Sequence, residues 1–444
     1  MGEYSELSVQ ITGVLTNDVK KKEGIFFSPQ KSIISCLNYI KNILRYNFTT
    51  VLEPSCGSCE FIHYLDKNYK GLDITGIELN KTIYDSIKGL KFQNNVNLIH
   101  QDYLTYNEGT KFDLIIGNPP YFVMKKEDIN TKYHKYISGR PNIFLLFIIQ
   151  SLNMLKTNGI LAFILPKSFL NCSYYQKVRE YIYHNYHVKK IIDCSTDEYI
   201  ETQQDTFILI IKNTNKSFSN EKYFLKNNFI MGTDKNIKTM KSILINSSTL
   251  NQLDFKVFNG SLVWNQERDS LTNDNEHIRL IYSGDIKNNE LAELETDTLR
   301  EEWGDYESKL LTINTLLTED ETNEGLLKKK KTIQDKIDKK HYVIKERLLT
   351  KKIEGPTLVI NRGYGNTNYT LNYAFIDLDE YYLENHVLGI KYTGDTLSKE
   401  ILKEKYQMII KSLQKEDTMR FIDLCMGNNA INTTELEYLI PIFE

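Results

Sequence analysis

Within this 444-residue sequence, Asn118-Pro119-Pro120-Tyr121 is the group of residues best suited to chemistry on a planar amino group. Two adjacent prolines fix φ and remove two backbone donors, so the turn they form presents carbonyl acceptors without competing N–H groups. The Asn118 side-chain oxygen and the Pro119 carbonyl can then accept two hydrogen bonds from one NH2 group. Such acceptance draws the nitrogen toward sp3 character and frees its lone pair to attack an electrophilic methyl group. Tyr121 adds a flat face on which a base can stack. The alternative is a Pro-rich turn capped by an Asn. What favours chemistry is position: the tetrapeptide directly follows the apolar run Phe112–Ile116 and Gly117. In an open α/β sheet, ligands bind beyond the carboxyl ends of the strands.

A second group lies upstream, where Val51 to Phe61 joins a strand to a helix. Small residues at Ser55, Gly57 and Ser58 allow a ligand to approach the backbone, and an acid exposed at the strand's end, Glu53, can bind an ammonium or hydroxyls. A tight strand-to-helix turn would also need small residues. Glu78 closes the next strand, at the place where an acid binds the two hydroxyls of a ribose. Asp102, beside Tyr103, follows the third strand and is suited to accept from an adenine amino group. Either acid alone could be an exposed loop residue; together they mark the ends of successive parallel strands.

The elements that must carry these groups are legible as hydrophobic runs. Strands are expected at Thr49–Glu53, Ile74–Glu78, Asn97–His100, Phe112–Ile116, Ile160–Leu165, Val188–Asp193 and Thr206–Lys212. Helices are expected at Ile83–Leu90, Ile143–Leu155 and Tyr174–Tyr186, the second apolar almost all round and hence buried. The alternation describes a doubly wound α/β domain. It breaks down after about Asn213, which puts a domain boundary near residues 213–245. Beyond it, an acidic stretch (Glu290–Glu307) precedes a basic one (Lys328–Lys352), both helical in composition. These form either a solvated helical hairpin or a basic arm that touches a DNA backbone. The strand and Gly-rich loop Gly355–Asn366 exposes Arg362 and Tyr364, and an Arg can read guanine O6 and N7. A plain β-turn is the alternative there.

Composition excludes more than it assigns. The 55 basic and 58 acidic residues nearly balance, so any phosphate-binding surface must be local. Six scattered cysteines include one CxxC pair, Cys56 and Cys59, and no second pair to complete a zinc site. A reduced, intracellular, cytoplasmic protein is expected, with no metal. No stretch approaches the roughly 18 apolar residues of a membrane span, so no membrane partner is expected.

Taken in order, these motifs resemble those of the gamma-class, NPPY-type adenine-N6 DNA methyltransferases of restriction-modification systems. Phe26-Phe27-Ser28-Pro29 looks like the family's N-terminal motif beside the methionine carboxylate, and Leu52–Phe61 like its cofactor loop. Glu78 is similar to its ribose acid, Asp102 to its adenine-binding acid, and Asn118–Tyr121 to its catalytic motif. Leu155–Pro166 resembles its hallmark strand, and Gly427–Leu436 its common ending. One residue departs from the pattern: Cys59 stands where the cofactor loop usually has glycine.

The resemblance implies a seven-stranded sheet of the S-adenosylmethionine-dependent methyltransferase type and a C-terminal mixed α+β target-recognition domain. The expected division is 1–230 for cofactor binding and catalysis and 231–444 for DNA recognition, with a charged helical insertion near 290–352. The implied reaction is methylation of adenine N6 in double-stranded DNA at a specific sequence, by direct transfer to a flipped-out base. S-adenosyl-L-methionine would be held by Ser28, Glu53, Ser55, Gly57, Glu78, Asp102, Tyr103 and Asn118. Asn118, Pro119, Pro120 and Tyr121 would be catalytic, and Tyr121, Tyr199 and Arg362 would touch substrate. The chain is expected to be a monomer, with a cognate restriction endonuclease as a further partner.

Other readings stay open: an N6-adenine RNA methyltransferase, a protein-glutamine methyltransferase, or a nonenzymatic DNA-binding protein on a degenerate fold. Glutamine methyltransferases use the same tetrapeptide but end soon after the seventh strand. Here about half the chain follows it.

Overall fold

The structure is a computed structural model that describes residues 4–43, 48–106, 109–195, 205–292, 296–319, 323–345, 347, 351–361, 371–425 and 431–444. The chain forms two compact units, residues 1–245 with 424–428, and residues 246–423 with 429–444.

The first unit is built on seven strands: β1 (Thr50–Glu53), β2 (Asp73–Glu78), β3 (Asn95–His100), β4 (Phe112–Gly117), β5 (Leu155–Pro166), β6 (His187–Asp193) and β7 (Thr206–Lys212). They pair in the order β3-β2-β1-β4-β5-β7-β6. Neighbours among β3, β2, β1, β4 and β5 run parallel, whereas β7 is antiparallel to both β5 and β6. The central strands are apolar on both faces because both faces are covered, as parallel sheets require. One face packs on α6 (Ile143–Asn153), whose residues Ile143 to Leu152 are all buried, as its all-round apolar sequence implied. The other packs on α3 (Gln30–Ile43) and α4 (Glu60–Asn68).

The end of the sheet opposite the strand carboxyl termini is tied by a charged hub. Asp113 Oδ2 accepts from the backbone N–H groups of Thr49 and Thr50, the Thr50 hydroxyl and the Lys156 ammonium, all within 3.3 Å. Burial pushes the carboxyl up, but these donors outweigh it and hold the group at about 2. The hub sets β4 in register beside β1 and so fixes the height at which Asn118 emerges. A second tie is Arg179 on α7 (Gln176–Asn185), which is fully buried. Its guanidinium donates to the carbonyls of Phe169, Asn171, Cys172, Asn228 and Phe229, joining the segment after β5 to a short hairpin.

The second unit is mixed α+β. A four-stranded antiparallel sheet (255–259, 387–392, 357–361, 373–376) and a five-stranded sheet (271–272, 342–343, 278–281, 380–383, 353–354) form its frame. The charged stretches are helical only in part: Thr296–Glu319 and Glu324–Ile337 pack as a helical hairpin, whereas Glu290–Leu291 and Tyr342–Val343, expected as helix, are strands because each pairs with a neighbouring strand. Among the described residues no helix is long and apolar enough to cross a membrane.

Candidate active site

The carboxyl ends of β1, β2 and β4 deliver Glu53, Glu78 and Asn118 to one edge of the sheet, because parallel neighbours end on the same side. Asn118 is fixed by three contacts. Its Nδ2 donates to the Phe26 carbonyl at 3.1 Å, its Oδ1 accepts from the Tyr121 hydroxyl at 2.6 Å, and its own carbonyl accepts from Ser55 Oγ at 3.1 Å. The Phe26 contact sets the amide's orientation, since a carbonyl can face only the NH2 side. The N-terminal segment comes this close because Gly24 has none of the bulk of a side chain. A Cβ there would lie 2.5 Å from the Tyr121 nitrogen, and the residue's φ of +65° also favours glycine.

The Tyr121 hydroxyl lies 2.6 Å from Asn118 Oδ1 and 2.8 Å from the Ile164 carbonyl. A phenol has one proton, so two acceptors compete for it. An incoming amino group can therefore take Asn118 Oδ1 while the hydroxyl turns fully to Ile164. The ring itself stands edge-on against Phe144, with centroids 5.9 Å apart.

Glu53 was expected at an open strand end and is instead 3 % exposed. Burial, followed by repulsion from Cys59 and Glu60, pushes its carboxyl well above the usual value. Among the described residues no hydrogen-bond donor reaches its Oε2. A buried carboxylate oxygen without a donor suits a cationic ligand group. Glu78 is also buried: its Oε2 accepts from Gly57 N at 3.0 Å and its Oε1 from Asn80 N at 2.7 Å. Burial raises this carboxyl too, against the opposing pull of the Asn80, Gly57 and Leu79 N–H groups. The acid at the end of β2 thus also shapes the loop after β1, where Gly57 adopts φ +51°.

Asp102 caps a short 3-10 turn through Leu104 N at 2.9 Å. Ser28 is buried after the N-terminal helices. Pro119 and Pro120 follow Asn118 in the turn beyond β4. Tyr103 is placed differently from expectation: its ring is buried in the core beside Phe147, and its hydroxyl meets Ser151 Oγ at 2.8 Å. The β-branched and aromatic residues around it gave no sequence sign of that inward turn. Tyr199 and Arg362 lie outside the described residues.

Cys59 has φ +64° and caps the N-terminus of α4 with its side chain fully buried. This left-handed conformation explains why glycine suits the position, and the thiol is the smallest polarizable group that could also fill the space beside it. Left-handed backbone costs a non-glycine residue about 1–2 kcal/mol, while glycine loses about 0.5–1 kcal/mol in chain entropy and gives up the buried thiol. Cys59→Gly should therefore leave the denaturation midpoint nearly unchanged and cofactor affinity within about twofold, by urea titration and calorimetry. A large loss of either would mean that the thiol has a role beyond packing.

Sequence reasoning missed a third buried acid, Glu60 at the start of α4. It accepts from Ser5, from Ser8 Oγ at 2.6 Å and from Gln30, and Ser8 meets Ser58 at 2.8 Å. These bonds fasten α1 (Glu6–Val14) and α3 to the cofactor loop. Ser5 announces itself only as a helix N-cap, three residues before the Ser8 N–H that its side chain accepts.

Seven strands in this order, with β7 antiparallel to both its neighbours, make the sheet of the S-adenosylmethionine-dependent methyltransferase fold. Residues 43–200 match the family model of the Eco57I restriction-modification methylase. The chain is 31 % identical over 181 residues to the modification methylase CviBIII of Paramecium bursaria Chlorella virus NC1A, covering 40 % of this chain and 47 % of that protein. It is 26 % identical over 451 residues to the type II methyltransferase M.CvrRI of Paramecium bursaria Chlorella virus XZ-6E, covering 99 % of each. Among solved structures, the methyltransferase subunit of a type I restriction-modification system from Streptococcus thermophilus aligns with a TM-score of 0.38 and 19 % identity, over 50 % of this chain and 54 % of that one.

Proposed function

We propose that this protein methylates the exocyclic N6 amino group of adenine in double-stranded DNA, with S-adenosyl-L-methionine as methyl donor. The observation that carries the reading is the Asn118 amide, held at the end of β4 by Phe26 with its oxygen directed to the Tyr121 side. The residues present fit the donor: among the described residues no hydrogen-bond donor meets Glu53 Oε2, which suits an ammonium, and Glu78 closes β2, where an acid suits a ribose. When bound, S-adenosyl-L-methionine supplies an electrophilic methyl group on a sulfonium. The protein's part is to orient. Asn118 Oδ1 and the Pro119 carbonyl accept from the two N–H bonds of the amine, which raises the lone pair out of the ring plane. The Tyr121 hydroxyl yields Asn118 and keeps Ile164. The hydroxyl beside the motif, Ser55, donates to the Asn118 carbonyl at 3.1 Å, and a lone pair activated in this way needs no covalent enzyme intermediate.

An adenine inside a B-form helix presents N6 paired and edge-on, so it must leave the stack to meet Asn118. Extrusion costs a few kcal/mol, and stacking on an aromatic such as Tyr121 returns about 1–3 kcal/mol. The test is sequencing that detects modified adenines in DNA from cells expressing the protein. N6-methyladenine at one recurrent short sequence is expected, and DNA without modified adenine would overturn the reading. A 2-aminopurine at that position should brighten on binding; no change with a methylation-competent duplex would sink the flipping step.

A further inference from the structure

The near-neutral composition hides a steep local imbalance. Residues 328–352 carry eleven Lys and Arg against three Asp and Glu, a net +8 inside a chain of net −3, which leaves −11 for the rest. The hairpin shows which of these cations are already engaged. Arg268 pairs with Asp335 at 2.9 Å and Asp338 at 3.3 Å, so the two acids at the C-terminal end of the helix Glu324–Ile337 serve to anchor it. Lys336 lies over the Tyr306 ring of the partner helix, 4.9 Å from its centroid. Lys339 pairs with buried Asp285 at 3.3 Å, and Lys352 pairs with Glu354 and Glu380.

Lys328, Lys329, Lys330 and Lys331 are different. All four are exposed, and among the described residues none makes an ion pair. At 100° per residue, four in succession ring the helix, so charge faces outward whichever side packs on the hairpin. They are the fifth to eighth of its fourteen residues, and Lys328 and Lys331, three apart, share a face and repel. Among the described residues no acid pairs with any of the four, and an external polyanion would offset their charge.

We propose that Lys328–Lys331 grip the phosphate backbone of duplex DNA, contributing sequence-independent affinity from the second unit. The identity of the polyanion rests on the DNA methyltransferase reading; the unpaired lysines do not. The test replaces all four with Ala, which keeps helix propensity high, and in parallel with Arg, which keeps the charge. Binding of the full-length proteins to duplex DNA is followed by fluorescence anisotropy between 50 and 200 mM salt.

Each released phosphate contact lowers the slope of log affinity against log salt by about 0.9, so the Ala variant should lose up to about 3.6 and the Arg variant little. Cofactor affinity and the single-turnover rate at saturating DNA should stay within about twofold of wild type, since the grip acts before chemistry. An unchanged slope in an Ala variant that still methylates DNA overturns this inference alone. A wild-type protein that neither binds nor methylates duplex overturns the methyltransferase reading and this inference with it. Lysine-dependent binding of poly-glutamate with none of duplex DNA would redirect the surface to an acidic protein and also overturn the proposal.

Discussion

Asn118→Ala is expected to lower the single-turnover methylation rate by about 10² or more, the cost of deleting one preorganised electrostatic group in other active sites. The cause is local. Asn118 Oδ1 is the acceptor that the amide's bond to Phe26 holds in place, and alanine leaves only the Pro119 carbonyl to polarise the amine. Cofactor affinity should change far less, because Glu53 and Glu78 come from other strands. Rapid-quench kinetics with saturating duplex measures the first quantity and calorimetry the second. Turnover near that of wild type would remove Asn118 from the chemistry.

Glu53→Gln is expected to move two properties in opposite directions. Removing the charge takes away the acceptor for an ammonium, and a charged hydrogen bond is worth about 1.5–3 kcal/mol, so cofactor affinity should fall about 10-fold or more. The cofactor-free protein should become more stable, because a carboxylate at 3 % exposure with an oxygen lacking a donor no longer has to be held there. The folded carboxyl lies well above the ordinary value, so wild-type stability is complete at pH below that value and declines as the pH rises toward the folded one. The advantage of Gln should therefore be absent near pH 4 and grow toward pH 8, as seen in denaturant midpoints across that range. Unchanged affinity, or a Gln variant less stable at pH 8, would show that Glu53 has a structural partner instead.

Much of the scaffold was visible as pattern. Val51–Leu52, Ile115–Ile116 and Ile160–Leu165 are apolar runs too short for helices and uninterrupted enough for a sheet covered on both faces, and each proved to be a strand. The sense of β7 was not visible. Phe207–Ile211 is apolar throughout, and an apolar run fits equally between parallel or antiparallel neighbours; its insertion between β5 and β6 decides the direction. Helix α5 (Lys81–Ile87) begins two residues earlier and ends three residues sooner than the apolar spacing suggested, because the Asn80 side chain caps it through the Ile83 N–H.

The sequence by itself determined which residue types stand after which strand: an acid after β1, β2 and β3, and Asn-Pro-Pro-Tyr after β4, an order that connectivity preserves however the chain packs. Only the tertiary structure decided their electrostatic states and partners. Glu78 is a buried acid held by the N–H groups of Gly57 and Asn80, and Glu53 is a buried acid beside Cys59 and Glu60. Asn118 is oriented by a carbonyl 92 positions away in sequence, and Tyr103 turns inward to meet α6. Such contacts depend on distances that no local pattern encodes. Burial and hydrogen bonding, unlike strand order, are properties of the packed chain.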